Sequence, residues 1–368
     1  MIVLKHLSIA VASAAALLLA SAAPAGATGI GDVQKAMEEL ATTPGVVGAI
    51  GGAYVDGRAA GRGTAGSRLL GGEGGAIPAG SRFRIGSQTK TMVATVLLQL
   101  VEEGRIGLDD KLADVLPEVI GLVELADEIT VQQTVQHTSG IPDWYSLEGS
   151  TEPMFDVFDF TTYHRPIDVV ETTRGLPRTG EPGEKFTYSN TNYILIGMII
   201  ERVRGRSLAR ELDRRLFHPL GMTRTYLATK PPQGIDGPHG HGYWPDATGT
   251  PRDVDRLNAS WGAGAGGVIS TTRDVSAFQR AFYQGKLLPP ALQEIITSGP
   301  GGGRQATGQC EDDLRVFGGS APGYLALTFT TIDGRRQFVI SVTRSTADDN
   351  AIFPAMFEAG EAVLCPAT

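Results

Sequence analysis

"FRIGSQTKTMVATVLLQLVEEG", residues Phe83 to Gly104, is the stretch on which the fold turns. It holds Ser87-x-x-Lys90, the one Ser-x-x-Lys in the chain, followed by an apolar run that stops at Gly104. The apolar residues recur at helical spacing on a wide face, and a glycine just past the last of them is a stop signal. Ser87 and Lys90 are therefore expected one turn apart, on one face, at a helix N-terminus. Free N–H groups and positive potential there favour a nucleophile whose attack creates an oxyanion. The same potential disfavours a charged lysine and moves it toward use as a base. Taken alone the motif is weak, because a capping serine followed one turn later by a solvated lysine is common.

Two further stretches carry chemistry. "GEKFTYSNTNY" supplies Tyr188, Ser189 and Asn190 immediately before the apolar "YILIGMII". A tyrosine in positive potential can shuttle a proton, and an asparagine amide can orient a substrate carbonyl. The plainer reading is a helix cap, which Ser and Asn make well, and the two readings are compatible. "VFGGSAPGYLALTF", Val316 to Phe329, reads as a glycine-rich turn feeding a strand. Its small residues would admit a substrate backbone, with the Ser320 N–H free to bind an oxyanion.

The rest of the chain frames these pieces. Asp56-Gly57 and Asp333-Gly334 sit between semi-alternating runs near the two ends, a tight-turn signal for two hairpins. Helical patterns lie outside both, so one sheet assembled from the two termini is expected. The middle is mostly helical, broken by the long loops "HTSGIPDWYSLEGSTEP" and "KPPQGIDGPHGHGYWPDATGTPRD". The expected layout is an α/β sandwich of residues 28–85 plus 265–368, with a mostly helical domain of residues 86–264 inserted and a cleft between them.

Ser-x-x-Lys, Tyr-x-Asn about a hundred residues on, and a glycine-rich segment before a terminal hairpin together resemble the penicillin-recognising serine hydrolases. "QHTSGIPDW", "YSNTNYILIGMIIERVRGRSL" and "WGAGAGGVISTTRDVSAF" are similar to the secreted actinomycete D-alanyl-D-alanine carboxypeptidases. The resemblance implies a β-lactamase-like α/β fold. It implies Ser87 as the acylated nucleophile, Lys90 as its proton acceptor and Tyr188 as the group that passes the proton to the leaving amine. Asn190 would hold the acyl chain, and the N–H groups of Ser87 and Ser320 would form the oxyanion hole. Arg304, six residues before Cys310, matches an arginine that binds the substrate's terminal carboxylate in those carboxypeptidases. Trp261 matches an aromatic residue lining the cleft, with core packing as the alternative.

The third motif departs from the family. Where Lys or His, a small hydroxyl residue and Gly are usual, this chain has Phe317-Gly318-Gly319. The cation that would favour ionisation of Tyr188 is missing from the sequence there. Esterases of the same fold often carry an aromatic residue and Gly-Gly at this place. D-alanyl-D-alanine carboxypeptidase is thus the first expectation. A serine esterase or D-amino-acid amidase or peptidase is the alternative, and a non-catalytic cell-wall-binding relative is the third. A small peptide or ester is the expected substrate, a β-lactam the expected covalent ligand, and a monomer the expected state.

Charge and the N-terminal segment bear on partners and compartment. The 368 residues carry a net charge of −8 and no basic stripe, which disfavours nucleic acid as a partner. Residues 1–27 combine Lys5, an apolar core and Ala25-Gly26-Ala27, the pattern of a cleaved signal peptide. No later segment suggests a membrane span, so a secreted protein is expected. In an oxidising compartment Cys310 and Cys365 would pair, and closing their loop would contribute roughly 4 kcal/mol, against two free buried thiols as the alternative. No cofactor or metal is expected: the His239-x-His241 pair shows no carboxylate or cysteine partner in its immediate pattern.

Overall fold

Two Asp-Gly turns and one strand pairing build the main sheet. The computed structural model describes residues 29–145, 155–231, 233–298, 304–305 and 314–366. In chain order its strands are β1 (Val46–Val55), β2 (Arg58–Gly66), β3 (Phe83–Arg84), β4 (Tyr226–Leu227), β5 (Tyr243–Pro245), β6 (Pro251–Asp253), β7 (Val268–Ser270), β8 (Arg304–Gln305), β9 (Leu314–Ala321), β10 (Tyr324–Thr331) and β11 (Arg336–Arg344). Asp56 and Gly57 both have positive φ, as a turn matched to the right-handed twist of its strands requires. The antiparallel sheet runs β2-β1-β11-β10-β9-β8, and the β1–β11 pairing joins the two ends of the chain as expected.

Helices cover both faces of this sheet. The Val33–Leu40 and Ile352–Leu364 helices pack on one side over a core that includes Met37, Leu325, Phe329, Phe338 and Met356. The Thr272–Tyr283 helix packs on the other side, against β1, β10 and β11. β10 is consequently buried at all eight positions, although its sequence alternates. Its Leu325, Leu327 and Phe329 belong to the first core. Thr328 and Thr330, on the opposite face, are buried too and hydrogen-bond to Gln88 and Gln337. Of these hydroxyls, which would meet water in a one-sided sheet, that of Thr328 anchors the start of the Gln88–Glu102 helix and that of Thr330 ties β10 to β11.

That helix is the centre of the second, larger core. Val93, Leu97, Leu98 and Leu100 are wholly buried, each contributing about 1.5–3 kcal/mol. It packs against the Asn190–Arg204 helix, which ends at Gly205 in the left-handed conformation. Two local expectations need correction. The Phe317–Ser320 segment is part of strand β9, not a turn, because Phe317, Gly318, Gly319 and Ser320 pair with Thr328, Leu327, Ala326 and Leu325 on β10; the turn falls at Pro322-Gly323. The loop around "HGHGYW" contains the small hairpin β5–β6.

Candidate active site

Ser87 stands at the first turn of the central helix in helical φ/ψ, and its side chain makes no capping bond. Its hydroxyl is held by chemistry instead. The Tyr188 hydroxyl donates to Ser87 Oγ at 2.7 Å, and Lys90 Nζ donates to the same atom at 3.1 Å. Lys90 Nζ also donates to Asn190 Oδ1 and to the Ala265 carbonyl, both at 2.7 Å. An ammonium has three hydrogens, and these three acceptors use them all. Once Lys90 is neutral, two hydrogens serve Asn190 and Ala265, and the lone pair faces Ser87 Oγ.

Burial drives Lys90 toward that neutral form. It pulls the amine down to about 7, against the Asp143 carboxylate, which pushes it up. Tyr188 moves the other way. Two-fifths of the residue is exposed, but its hydroxyl end is enclosed, and loss of water pushes the phenol well above its usual range while the Ser87 bond pulls it down. The ammonium of Lys90 lies 4.8 Å from the Tyr188 ring centre. The tyrosine therefore rests as a neutral donor.

Two residues that sequence reasoning did not assign to the site hold these groups in place. Asp143 Oδ1 accepts the Asn190 backbone N–H at 3.0 Å, and Oδ2 accepts Asn190 Nδ2 at 2.9 Å. The cap of the Asn190–Arg204 helix thus comes from Asp143, and Ser189 turns its hydroxyl to the Pro142 carbonyl. Burial pushes the Asp143 carboxyl up, while the Tyr145 N–H, Lys90 and Asn190 pull it back. His137 stacks on Tyr188 with ring centres 4.6 Å apart and accepts the Ser189 N–H on Nδ1 at 3.1 Å. Burial, with Lys90 nearby, holds its pKa down to about 3, so the imidazole is neutral. Both lie in "QHTSGIPDW", whose likeness to the family was the available signal.

The third wall is β9. A Cβ on Gly319 would lie 1.9 Å from the Ile85 carbonyl oxygen and 3.0 Å from Ser87 N, and one on Gly86, at φ +53°, would lie 2.6 Å from Ser320 N. Only glycine at these two places lets the strand lie against the helix start. Ser87 and Ser320 thereby both line the cavity at this seam, where two backbone N–H groups could serve an oxyanion. Phe317 is buried on this strand with its ring edge-on to Tyr283, 6.0 Å between centres, so an apolar contact occupies the position of the missing cation. A cation reaches Ser320 from elsewhere: buried Arg344 donates to Ser320 Oγ at 3.3 Å.

Two cavities meet at Ser87. One, of about 660 Å³, is lined by Lys90, Tyr188, Phe317 and Gly319. The other, of about 330 Å³, is lined by Asn190, Trp144, Phe155, Trp261 and Ser320. Trp261 is half-buried here, stacked 5.6 Å from Trp144 and 5.0 Å from Phe155. The remaining assignments fall elsewhere. Arg304 pairs with Val316 at the sheet edge, and its side chain lies outside the described part. Cys310 and residues 1–27 lie outside the described residues. The His239-x-His241 pair does have carboxylate partners, contrary to expectation: Asp255 and Asp253, brought over by the β5–β6 hairpin. No helix of the described residues is long and apolar enough to cross a membrane.

A serine on a helix start, a buried lysine bonded to it and a strand opposite are the arrangement of a serine hydrolase of the β-lactamase fold. The chain belongs to the Beta-lactamase family, whose model matches residues 33–355. It is 26% identical over 316 residues to Penicillin-binding protein 4* of Bacillus subtilis, covering 77% of this chain and 65% of that protein's length. Among solved structures it matches a D-stereospecific amidohydrolase from Streptomyces sp. at 29% identity and TM-score 0.72, covering 91% of this chain and 98% of that one. A D-amino acid amidase from Ochrobactrum anthropi shares the fold at 22% identity and TM-score 0.73, covering 90% and 97%.

Proposed function

We propose that this chain is a D-stereospecific serine amidase or peptidase that forms an acyl-enzyme at Ser87 and prefers a large apolar or aromatic acyl side chain. The observation that carries the substrate class is the aromatic cavity of Trp144, Phe155 and Trp261 opening beside Ser87 and Asn190. D-stereospecificity rests on the likeness to the Streptomyces amidohydrolase. Neutral Lys90 takes the Ser87 proton as Oγ attacks the carbonyl carbon, and the oxyanion forms against the N–H groups of Ser87 and Ser320. Tyr188, bonded to Ser87 Oγ, passes a proton to the departing amine. Water then attacks the ester and releases the acid. Asn190 orients the acyl chain, and its contacts to Lys90 and Asp143 fix its amide.

D-alanyl-D-alanine carboxypeptidase is the second reading, and Arg344 is the observation that favours it. Its guanidinium puts positive charge behind the Ser320 hydroxyl, where a terminal carboxylate would be met. Arg304 remains its proposed direct clamp. The deciding experiment is a panel of D- and L-phenylalanine amides, D-alanine amide and a D-Ala-D-Ala peptide, run on wild type and Trp261→Ala. The amidase reading expects D-phenylalanine amide to be turned over best, with Trp261→Ala raising its KM about tenfold or more and sparing the alanine substrate. Preference for the D-Ala-D-Ala peptide would move the assignment to the carboxypeptidase.

Export belongs to the same proposal: removal of residues 1–27 and a Cys310–Cys365 disulfide, with the cleft lying between a sandwich and a mostly helical domain. N-terminal sequencing of secreted protein and thiol titration test the first two.

A further inference from the structure

The segment between β4 and β7 carries chemistry that acyl transfer leaves unused. β5 and β6 pair with Tyr243 opposite Asp253. Side chains repeat every second residue along a strand, so two positions outward His241 faces Asp255. The Val254 N–H bond to the Gly242 carbonyl, 2.9 Å, extends the ladder between them. One further step along the first arm brings His239 onto the same face. The ligand-capable atoms of His239, His241 and Asp255 lie within 4.8 Å of one another. The two imidazoles are parallel, 5.2 Å apart and within 5°.

His239 is oriented as a metal ligand would be. Its Nδ1 lies 2.5 Å from the Gly237 carbonyl oxygen, which can only accept, so Nδ1 carries the proton. Nε2 faces Asp255 Oδ1 at 2.7 Å, the distance of a hydrogen-bonded ion pair. A metal ion bound here would displace the proton that closes such a contact. A backbone carbonyl on one imidazole nitrogen is how proteins aim the other at a metal. Asp253 Oδ2 holds the His241 ring in the same manner through Nδ1, at 2.7 Å. His239 is buried, while His241 and Asp255 are only partly covered, which leaves an entry path.

We propose that His239, His241 and Asp255 bind one divalent transition-metal cation, zinc by the chemistry of the donors. Two imidazoles and a carboxylate suit zinc and leave a fourth position for water. Ligands about 2.0 Å from a tetrahedral ion stand roughly 3.3 Å apart, so small side-chain rotations bring these three atoms to it. The ion would brace a wall of the acyl-transfer site without touching the reacting atoms. A Cβ on Gly242 would lie 2.6 Å from the Gly323 carbonyl, at the turn that follows Ser320. The Asp255 carbonyl accepts from Arg84, three residues before Ser87.

The test uses full-length mature protein without a histidine tag, stripped with a chelator and titrated with zinc by calorimetry. Cobalt absorption reports coordination directly. One zinc per chain is expected, together with a rise in melting temperature at saturating zinc. His241→Ala and Asp255→Asn, at partly exposed positions, should each weaken zinc binding about tenfold or more while the stripped proteins melt near wild type. Absence of saturable zinc binding by wild type overturns the proposal, and so does binding that both variants retain in full.

Discussion

The two helices that meet at the active site begin in contrasting ways. Each follows a serine, Ser87 or Ser189, and neither serine caps its helix with its own side chain. Forgoing such a cap costs about 0.5–2 kcal/mol. At Ser189 the loss is offset by Asp143, whose carboxylate reaches in from 47 residues upstream and binds both the backbone and side chain of Asn190. At Ser87 the hydroxyl is given to Tyr188 and Lys90 instead. The helix start that must hold position imports a cap, and the one that must react keeps its hydroxyl available.

The sharpest way to break this contrast is to remove the reacting groups. Ser87→Ala and Lys90→Met should each lower kcat by about 10⁴-fold or more, and the double variant should fall little further, because the two act as one unit. Intact mass after incubation with benzylpenicillin should show an adduct on wild type and none on Ser87→Ala. An adduct on the Ala variant would move the nucleophile away from Ser87. Melting temperatures near wild type would show that neither group is needed as a cap.

Tyr188→Phe comes next in size. It keeps the ring on His137 and removes the hydroxyl that donates to Ser87, so kcat should drop about 10²- to 10⁴-fold with KM little changed. A drop below tenfold would assign proton delivery to another group.

Much of this was legible in the sequence. Ser87, Lys90, Tyr188 and Asn190 converge as expected, because a helix start fixes its residues locally and two such starts need only pack together. The hairpins at Asp56-Gly57 and Asp333-Gly334 were equally readable, since turn chemistry is local. What escaped depends on contacts distant in sequence. Asp143 and His137 bear on the site through hydrogen bonds and a stack to residues about 50 positions away. Arg344 reaches Ser320 only because β11 lies beside β10 in the sheet. Val316–Ser320 looked like a turn because its glycines suggest one, yet they serve close approach within a strand. The carboxylates beside His239 and His241 lie across a hairpin too short to register as alternation.

Asp143 offers the smallest and most discriminating effect. Burial holds Lys90 to about 7, and the Asp143 carboxylate pushes it up from where burial alone would leave it. Acylation needs the neutral amine, so in wild type it should fall about tenfold per pH unit below about 7 and level off above. Removing the negative charge favours the neutral amine further, so Asp143→Asn should move that acid limb to lower pH. The amide oxygen can still accept the Asn190 backbone N–H but the bond from Asn190 Nδ2 is lost, so its melting temperature should fall by less than that of Asp143→Ala. Asp143→Ala loses the acceptor as well and should destabilise the fold by about 1–2 kcal/mol. The pH dependence of acylation and thermal melting of both variants separate the two roles. A limb that stays at wild-type pH in Asp143→Asn would make Asp143 a cap alone, with burial as the sole control on Lys90.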